Sequence, residues 1–184
     1  MEYKIKAHIK EHSTLISDNI SEISTAIKII TKDIKKTLKN KKTIFFAGNG
    51  GSAADCEHLA GELVGRYKKN RLPYKAISLT TDTSVITCIA NDFGYDKIFS
   101  RQLQGLGSKG DLLIAFSTSG KSKNIINLLK MAKKLKIKSI CLLGKDGGLC
   151  RNLSNYNYVV PSKLTANIQE IHHLIGHIFC NLVD

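Results

Sequence analysis

Hydrophobic residues recur at alternating steps of three and four along the first 40 residues. This spacing places them in one stripe along a long helix or a pair of helices, because an α-helix completes a turn every 3.6 residues. Such a stripe fits either a coiled-coil-like seam between subunits or a face packed on the rest of the chain. We favour a partner subunit, since so long a stripe exceeds what one small sheet can cover, and expect residues 1–40 to be a helical oligomerisation segment. The stripe consists of Ile9, Ile16, Ile20, Ile23, Ile27, Ile30, Ile34 and Leu38.

Residues 41–184 alternate short apolar runs with helical patterns. Several of the runs are apolar on both faces, as strands of a buried parallel sheet are. The alternation predicts an α/β fold in one domain spanning residues 1–184, with a doubly wound, five-stranded parallel sheet and helices on both faces. The predicted strands are Thr43–Ala47, Lys75–Leu79, Asp111–Phe116, Ser139–Leu143 and Tyr156–Val160. The predicted helices are Ala53–Arg66, Ser84–Ala90, Lys97–Leu103, Ser122–Leu135, Asp146–Leu153 and Thr165–Val183.

Composition narrows the classes of function. The net charge of +13 raises the question of nucleic acid, but the lysines are dispersed and no aromatic residues alternate with them, so we expect none as a partner. No apolar stretch approaches the length of a membrane span, and the charged N-terminus does not resemble a signal peptide. We therefore expect a cytoplasmic protein with no membrane partner. The five cysteines form no Cys-x-x-Cys pair, which favours neither disulfides nor a thiolate zinc site.

The first predicted strand runs into the sequence Gly48-Asn49-Gly50-Gly51-Ser52 and then a helix. Glycines allow a tight turn and close approach of a ligand, and the amides at a helix N-terminus attract anions. His58 and Glu62 lie four residues apart, hence on one face of that helix. They fit metal ligands, acid and base groups, or a surface pair. An anion site beside such a pair indicates chemistry on a small phosphorylated molecule.

The third predicted strand ends in a second turn, which is rich in hydroxyl groups. Its sequence is Ser117-Thr118-Ser119-Gly120-Lys121-Ser122. Hydroxyls and helix N-terminal amides suit phosphate oxygens, although serine and threonine are also common in helix caps and polar turns. We favour phosphate, because four hydroxyls surround one glycine directly after a core strand. The turn lacks the earlier glycine of a Walker loop, so a nucleoside triphosphate is not expected.

Polar residues on two further segments are candidates for the same site. The last predicted helix carries Gln169, His172, His173 and His177, a density of histidines that raises the odds of a site. Asp82, Asn91 and Asp92 are placed in turns after the second strand and its short helix. Helix capping is the default interpretation of these three, and binding of substrate hydroxyls is the alternative.

Together these segments resemble the sugar isomerase (SIS) domain and, more narrowly, the bacterial phosphoheptose isomerases. The resemblance covers nearly the whole chain. The serine-rich turn is typical of SIS domains in general, whereas Glu62 with Gln169 and His177 is specific to the isomerases. The matching segments are Gly48-Asn49-Gly50-Gly51-Ser52-Ala53-Ala54-Asp55, His58, Glu62-Leu63-Val64-Gly65-Arg66, Asn91-Asp92-Phe93-Gly94, Ser117-Thr118-Ser119-Gly120, Ser122, Leu143-Gly144-Lys145-Asp146-Gly147-Gly148, Ile168-Gln169-Glu170-Ile171-His172 and Gly176-His177.

The resemblance implies a flavodoxin-like three-layer sandwich that interconverts D-sedoheptulose 7-phosphate and D-glycero-D-manno-heptose 7-phosphate through an enediol. It implies Glu62 as the base and His177 as the partner acid and base. It also implies one zinc per subunit and a homotetramer with active sites at subunit interfaces. The implied zinc ligands are His58, Glu62, Gln169 and His177. The implied phosphate contacts are Ser117, Thr118, Ser119 and Ser122, and the implied sugar contacts are Asn49, Gly50, Gly51, Ser52, Glu62, Asn91, Asp92 and Gln169.

Two other interpretations compete with this one. A non-catalytic SIS module that binds another protein would not need Glu62 and His177, so their presence argues against it. An SIS isomerase acting on a different phosphosugar is the other alternative, since the same scaffold and acid–base pair would serve it.

Overall fold

A computed structural model describes all residues, 1–184, and contains a five-stranded, entirely parallel sheet. The strand order is β2-β1-β3-β4-β5, so the chain reverses its direction across the sheet between β1 and β3. In a doubly wound fold this switch point opens a crevice beyond the carboxyl ends of the strands. The predicted fold is confirmed. The strands are β1 (Ile44–Ala47), β2 (Ala76–Ser78), β3 (Leu112–Ser117), β4 (Lys138–Gly144) and β5 (Tyr156–Val160).

Eight α-helices cover the two faces of the sheet. Alternate residues of each strand point to opposite faces, so Phe46 packs with α2, α3 and α8 while Phe45 packs with α4, α5 and α6. The result is the predicted three-layer sandwich. No helix combines the length and apolarity required to cross a membrane. The helices are α1 (Glu2–Asp18), α2 (Ile20–Lys39), α3 (Gly51–Val64), α4 (Thr83–Phe93), α5 (Ile98–Leu106), α6 (Lys123–Lys134), α7 (Cys150–Leu153) and α8 (Thr165–Val183).

Three of the predicted helix boundaries are wrong by three residues or more. The helix predicted over Lys97–Leu103 ends only at Leu106. Helix α4 continues to Phe93, so Asn91 and Asp92 lie in its last turn rather than in a loop. The predicted helix from Asp146 to Leu153 begins only at Cys150. Gly147 and Gly148 have φ values of 77° and 48°, and this left-handed backbone forms a turn in place of a helix.

The N-terminal stripe divides between two helices with different surroundings. Ile23, Ile27, Ile30 and Ile34 of α2 are 0–6% exposed and belong to the core of their own domain. The prediction that the whole stripe faces a partner subunit is therefore wrong for these four residues. The sheet is not alone in covering them, because α8 packs beside α2 on the same face. Helix α1, in contrast, has no buried residue.

Candidate active site

Helices α3 and α8 lie side by side and run in the same direction. Three contacts occur in the same order along both helices, which fixes the direction and the register of the pair. A Cβ at Gly51 would meet the amide nitrogen of Gln169 at 2.7 Å, so that side chain lies directly over the start of α3. The contacts pair Gly51 with Gln169, Asp55 with His173, and His58 with His177.

His58 lies between the two residues expected to perform acid–base chemistry. Its Nε2 is 2.8 Å from Nε2 of His177 and 3.5 Å from Oε1 of Glu62. At 2.8 Å one imidazole must donate and the other accept, so at least one ring is neutral. Partial burial lowers the pKa of His177, and the neighbouring imidazoles of His173 and His58 lower it further. The Glu62 carboxylate is 22% exposed and open to a ligand.

A third imidazole, that of His173, completes the cluster. Its ring centroid is 4.3 Å from that of His177 and 5.1 Å from that of His58. Its Nδ1 donates to Oδ1 of Asp55 at 2.8 Å. Each of the three histidines has one ring nitrogen that lies within 4.8 Å of a ring nitrogen of the other two. Three imidazole nitrogens so close together suit a transition-metal ion such as zinc.

This cluster overlaps only in part with the predicted zinc ligands. His58 and His177 belong to both sets, Glu62 borders the cluster through His58, and Gln169 lies over Gly51 one turn before His173. The sequence pattern indicated no specific role for His173 or for Asp55. The spacing of His173 and His177 was an available signal, since residues four apart share a helical face.

The fourth histidine of the region, His172, belongs to the core instead. It is fully buried, packs edge-on against Phe116, and its Nε2 donates to the carbonyl of Leu143 at 3.0 Å. Burial lowers its pKa to about 4, so the ring is neutral at pH 7. The dense run of histidines on α8 thus divides between the site and the core.

The glycine-rich turn after β1 contacts the start of α6 through Asn49. The amides of Asn49 and Asn124 donate to each other's oxygens at 3.0 and 2.8 Å. The hydroxyl of Tyr95 donates to Asn49 Oδ1 at 3.1 Å. No motif in the sequence indicated Asn124 or Tyr95, because both reach the site only through tertiary packing. They line a cleft of about 650 Å³ formed by Asn49, Tyr95, Asp96, Ser122, Lys123 and Asn124.

The serine-rich turn after β3 is folded back on itself. Ser117 Oγ accepts from the amide of Gly120 at 3.1 Å and lies 3.5 Å from Ser122 Oγ. Ser119 Oγ accepts from the amide of Lys121 at 3.2 Å. Ser117 is buried, whereas Thr118, Ser119 and Ser122 are half-buried. The turn therefore gathers hydroxyls at the N-terminus of α6, where amides and the helix dipole favour an anion.

Residues 82–92 are less closely connected to these two turns. Asp82 caps α4 by accepting from the amide of Val85 at 2.9 Å, as the capping interpretation predicted. Asn91 donates to Asp92 at 2.8 Å, and the thiol of Cys88 donates to Asp92 at 3.6 Å. Asn91 and Asp92 are exposed and are not brought into contact with the histidine cluster.

An ion pair holds the far ends of α3 and α8 together, which the sequence did not reveal. Arg71 donates to the carbonyls of Glu62 and Leu63 at 3.1 and 2.9 Å. It also donates to the carboxylate of Asp184 at 2.7 Å. That carboxylate is 2% exposed and accepts from the amide of Lys68 at 2.7 Å and from that of Lys69. Backbone hydrogen bonds, with the Arg71 pair, lower the pKa of Asp184 to about 2.

Comparison with known proteins places the chain in a family. Residues 7–144 match the model of the SIS domain. The phosphoheptose isomerase of Aliarcobacter butzleri is 49% identical over 97% of this chain and 96% of its own length. The phosphoheptose isomerase of Neisseria gonorrhoeae superposes with a TM-score of 0.94 at 35% identity, over 100% of this chain and 98% of that one. That of Francisella tularensis gives 0.95 at 33% identity, over 98% and 96%. The chain therefore belongs to the SIS-domain family and, within it, to the phosphoheptose isomerases.

Proposed function

We propose that this chain interconverts D-sedoheptulose 7-phosphate and D-glycero-D-manno-heptose 7-phosphate, as an aldose–ketose isomerase. The observation that carries the proposal is the arrangement around α3. The helix begins at the glycine-rich turn, which is joined to the serine-rich turn by the Asn49–Asn124 pair, and it carries His58 and Glu62 further along. An anion site and an acid–base cluster thus border the same crevice.

The spacing along α3 between the glycine-rich turn and the histidine cluster suits an elongated substrate. At 1.5 Å per residue, Gly51 and His58 are separated by roughly 10 Å along α3. A seven-carbon sugar that carries its phosphate on the last carbon has its reacting carbons at the opposite end. We propose that the hydroxyls of the serine-rich turn hold the phosphate while C1 and C2 lie near Glu62 and His177. The proposed phosphate contacts are Ser117, Thr118, Ser119 and Ser122.

The chemistry requires a base, an acid and a polar environment for the enediol oxygens. In the direction of the aldose, Glu62 removes a proton from C1, and the C1–C2 pair becomes an enediol. His177, after taking up a proton from solvent, returns it to C2; the hydroxyl proton moves from O1 to O2, and Glu62 releases the proton from C1 to solvent. The lowered pKa of His177 makes the neutral ring the main form at pH 7 and makes the imidazolium, once formed, a stronger proton donor.

The proposed sugar contacts lie between the two regions. Gln169 over Gly51 and the Asn49 amide are in position to bind hydroxyls in the middle of the chain. Asn91 and Asp92 are exposed, and we propose that they contact sugar in a site completed by a neighbouring subunit. The full proposed set is Asn49, Gly50, Gly51, Ser52, Glu62, Asn91, Asp92 and Gln169.

The donor set fits a zinc ion. Imidazole nitrogens and a carboxylate oxygen are common zinc ligands, and the cluster places three imidazoles beside Glu62. The ligands proposed from the family resemblance are His58, Glu62, Gln169 and His177. Bound there, zinc would act as a Lewis acid toward the substrate's oxygens. A Glu62 that coordinates tightly is a weaker base, so these two roles of its carboxylate compete.

Helix α1 supports the proposed homotetramer. Its Ile5 and Ile9 are 52% and 59% exposed, an apolar surface that a neighbouring subunit would cover. The five cysteines are unpaired, which suits the reducing conditions of the proposed cytoplasmic location. There the reaction would be the first step of nucleotide-activated heptose synthesis for surface polysaccharide.

The proposal is tested by incubating the purified protein with sedoheptulose 7-phosphate in deuterated water, with His177→Ala as the control. We expect NMR and mass spectrometry to detect an aldoheptose 7-phosphate, with deuterium at C2 where the transferred proton exchanges with solvent. Product without deuterium would indicate a shielded proton or a hydride shift. Absence of product, with and without added zinc, would contradict the proposal and favour another phosphosugar or a protein-binding role.

A further inference from the structure

We propose that His173, oriented by Asp55, is itself a metal ligand, so that the metal centre of this chain contains three histidines. The inference rests on the proposed function in one respect, since it takes the cluster beside Glu62 as the metal site. It goes beyond that proposal by assigning the third imidazole and the carboxylate behind it. His173 would join His58 and His177, two of the ligands proposed above, and Glu62 would lie beside the three imidazoles.

One ring nitrogen of His173 remains free to bind a metal ion. Nδ1 of His173 is committed to Asp55 at 2.8 Å, which leaves Nε2 as the nitrogen available to a cation. His58 and His177 already point their Nε2 atoms toward each other at 2.8 Å. A metal ion would replace this hydrogen bond with two coordinate bonds and would give the lone pair of the third ring a partner.

The carboxylate of Asp55 lies behind His173, where it can orient the ring for a metal ion. Histidines that bind metals generally donate their other N–H to a carboxylate or carbonyl, which fixes the tautomer and strengthens the ligand. Asp55 supplies this partner, and it is only 14% exposed, so water does not compete freely for the bond. It stands on α3, three residues before His58, while His173 stands on α8. The pair therefore sets the third ligand relative to the first across the helix interface.

The three imidazole rings pack closely together. The centroids of His173 and His177 are 4.3 Å apart at an interplanar angle of 74°, and those of His58 and His173 are 5.1 Å apart. A surface His–Asp ion pair has no need for two further imidazoles at this range. The set of nitrogen donors favours Zn²⁺, Co²⁺ or Ni²⁺ over Mg²⁺ or Ca²⁺, which prefer oxygen.

The test measures metal binding directly. Metal-free protein is titrated with Zn²⁺ in competition with a chromophoric chelator, and separately with Co²⁺ while its absorption spectrum is recorded. The variants are His173→Phe, which removes the ligand, and Asp55→Asn, which keeps the shape but removes the charge. His8→Phe, an exposed histidine on α1, is the matched control. Circular dichroism of each metal-free variant verifies its fold.

We expect Asp55→Asn to weaken zinc binding by about 10- to 100-fold, which is the usual effect of losing the residue that hydrogen-bonds a metal-binding histidine. We expect His173→Phe to weaken zinc binding more and to alter the Co²⁺ spectrum. His8→Phe should bind as the unmodified protein does. Unchanged affinity in both site variants, or no zinc binding by the unmodified protein, would overturn the inference. If His173→Phe does not fold, the Asp55→Asn affinity alone decides.

A parallel isomerase assay separates this inference from the proposed function. Unmodified protein that binds zinc through His173 but does not convert sedoheptulose 7-phosphate would contradict the function and leave the metal site standing. Protein that converts the sugar but whose zinc affinity is indifferent to His173 and Asp55 would overturn the metal assignment and leave the function standing.

Discussion

The two ends of the candidate site are built in different ways. The serine-rich turn forms from six consecutive residues, and its internal hydrogen bonds link Ser117 to Gly120 and Ser119 to Lys121. The histidine cluster joins His58 to His177, which are 119 positions apart. A turn of the first kind is specified by local sequence, whereas a cluster of the second kind exists only if two helices pack in one register.

The register of α3 against α8 is held at several points. A Cβ at Gly176 would lie 2.7 Å from Leu59 Cδ2, so this glycine permits the close approach of the two helices. Gln169 over Gly51 fixes one end, and Arg71 with Asp184 holds the other. The proposed chemistry of Glu62 and His177 therefore depends in part on Gly176, Arg71 and Asp184, which lie outside the proposed substrate contacts.

The largest expected effect is at the cluster. Glu62→Gln preserves the side-chain shape but removes the base, so we expect kcat to fall by about 10²- to 10⁴-fold with KM changed only slightly. Steady-state kinetics with sedoheptulose 7-phosphate measures both. Glu57→Gln, on an exposed face of the same helix, is the control and should retain its turnover. Near-normal turnover in Glu62→Gln would eliminate Glu62 as the base.

A substitution at Gly120 should break the turn without touching the cluster. Its φ is +62°, and an added Cβ would lie 1.9 Å from the carbonyl oxygen of Gly147. We expect Gly120→Ala to lower the free energy of unfolding by at least about 3 kcal/mol, from left-handed strain and backbone displacement together. Urea denaturation measures the loss.

Gly105→Ala is the matched control for Gly120→Ala. Gly105 lies within α5 with nothing within 4 Å of an added Cβ, so we expect a gain of about 0.5–1 kcal/mol. Equal effects of the two substitutions would show that the backbone of the serine-rich turn is not constrained as described.

A milder change tests the proposed phosphate contact of the same turn. Ser119→Ala removes one proposed hydrogen bond to the charged phosphate. Such a bond contributes about 1.5 kcal/mol or more, so the substitution should raise KM about 10-fold with kcat nearly unchanged. Inhibition by inorganic phosphate should weaken in parallel. Ser13→Ala on α1, whose hydroxyl bonds only the carbonyl of Ile9, is the control. An unchanged KM in Ser119→Ala would move the phosphate elsewhere.

The smallest expected effect concerns the ion pair between Arg71 and Asp184. Its pKa of about 2 in the folded chain lies below the value of about 3.9 for an unfolded aspartate. The carboxylate therefore stabilises the fold above pH ~4, and this contribution is lost as the pH falls toward 2. Asp184→Asn should lower Tm at pH 7, and the difference from the unmodified protein should narrow at pH 3.

Asp146→Asn is the control for this pH dependence. Asp146 pairs with Lys121 at the surface, where both side chains are more than 60% exposed, so its removal should change Tm little. A Tm difference for Asp184→Asn that stays the same at pH 7 and pH 3 would contradict the linkage.

The sequence predicted the positions of the helices and strands well, but it did not predict which of them pack against each other. All five strands lie where the apolar runs placed them, and α8 has the predicted bounds of Thr165–Val183. Periodicity also located the stripe on α1 and α2. It did not reveal that Ile30 would pack on its own domain while Ile9 stays 59% exposed. Both residues fit the same apolar period. They differ because the helix is interrupted at Asn19, so that Ile9 lies on α1 and Ile30 on α2.

The sequence by itself therefore determined the strand–helix alternation, the turns that follow β1 and β3, and the shared face of His58 and Glu62. These depend on backbone geometry and hydrophobic period within a few residues. Tertiary structure decided that His173 joins the site while its neighbour His172 enters the core. It also decided that Asp55 stands behind His173. Such choices follow from how α3 and α8 pack against each other and the sheet, because neighbouring residues on a helix point in different directions.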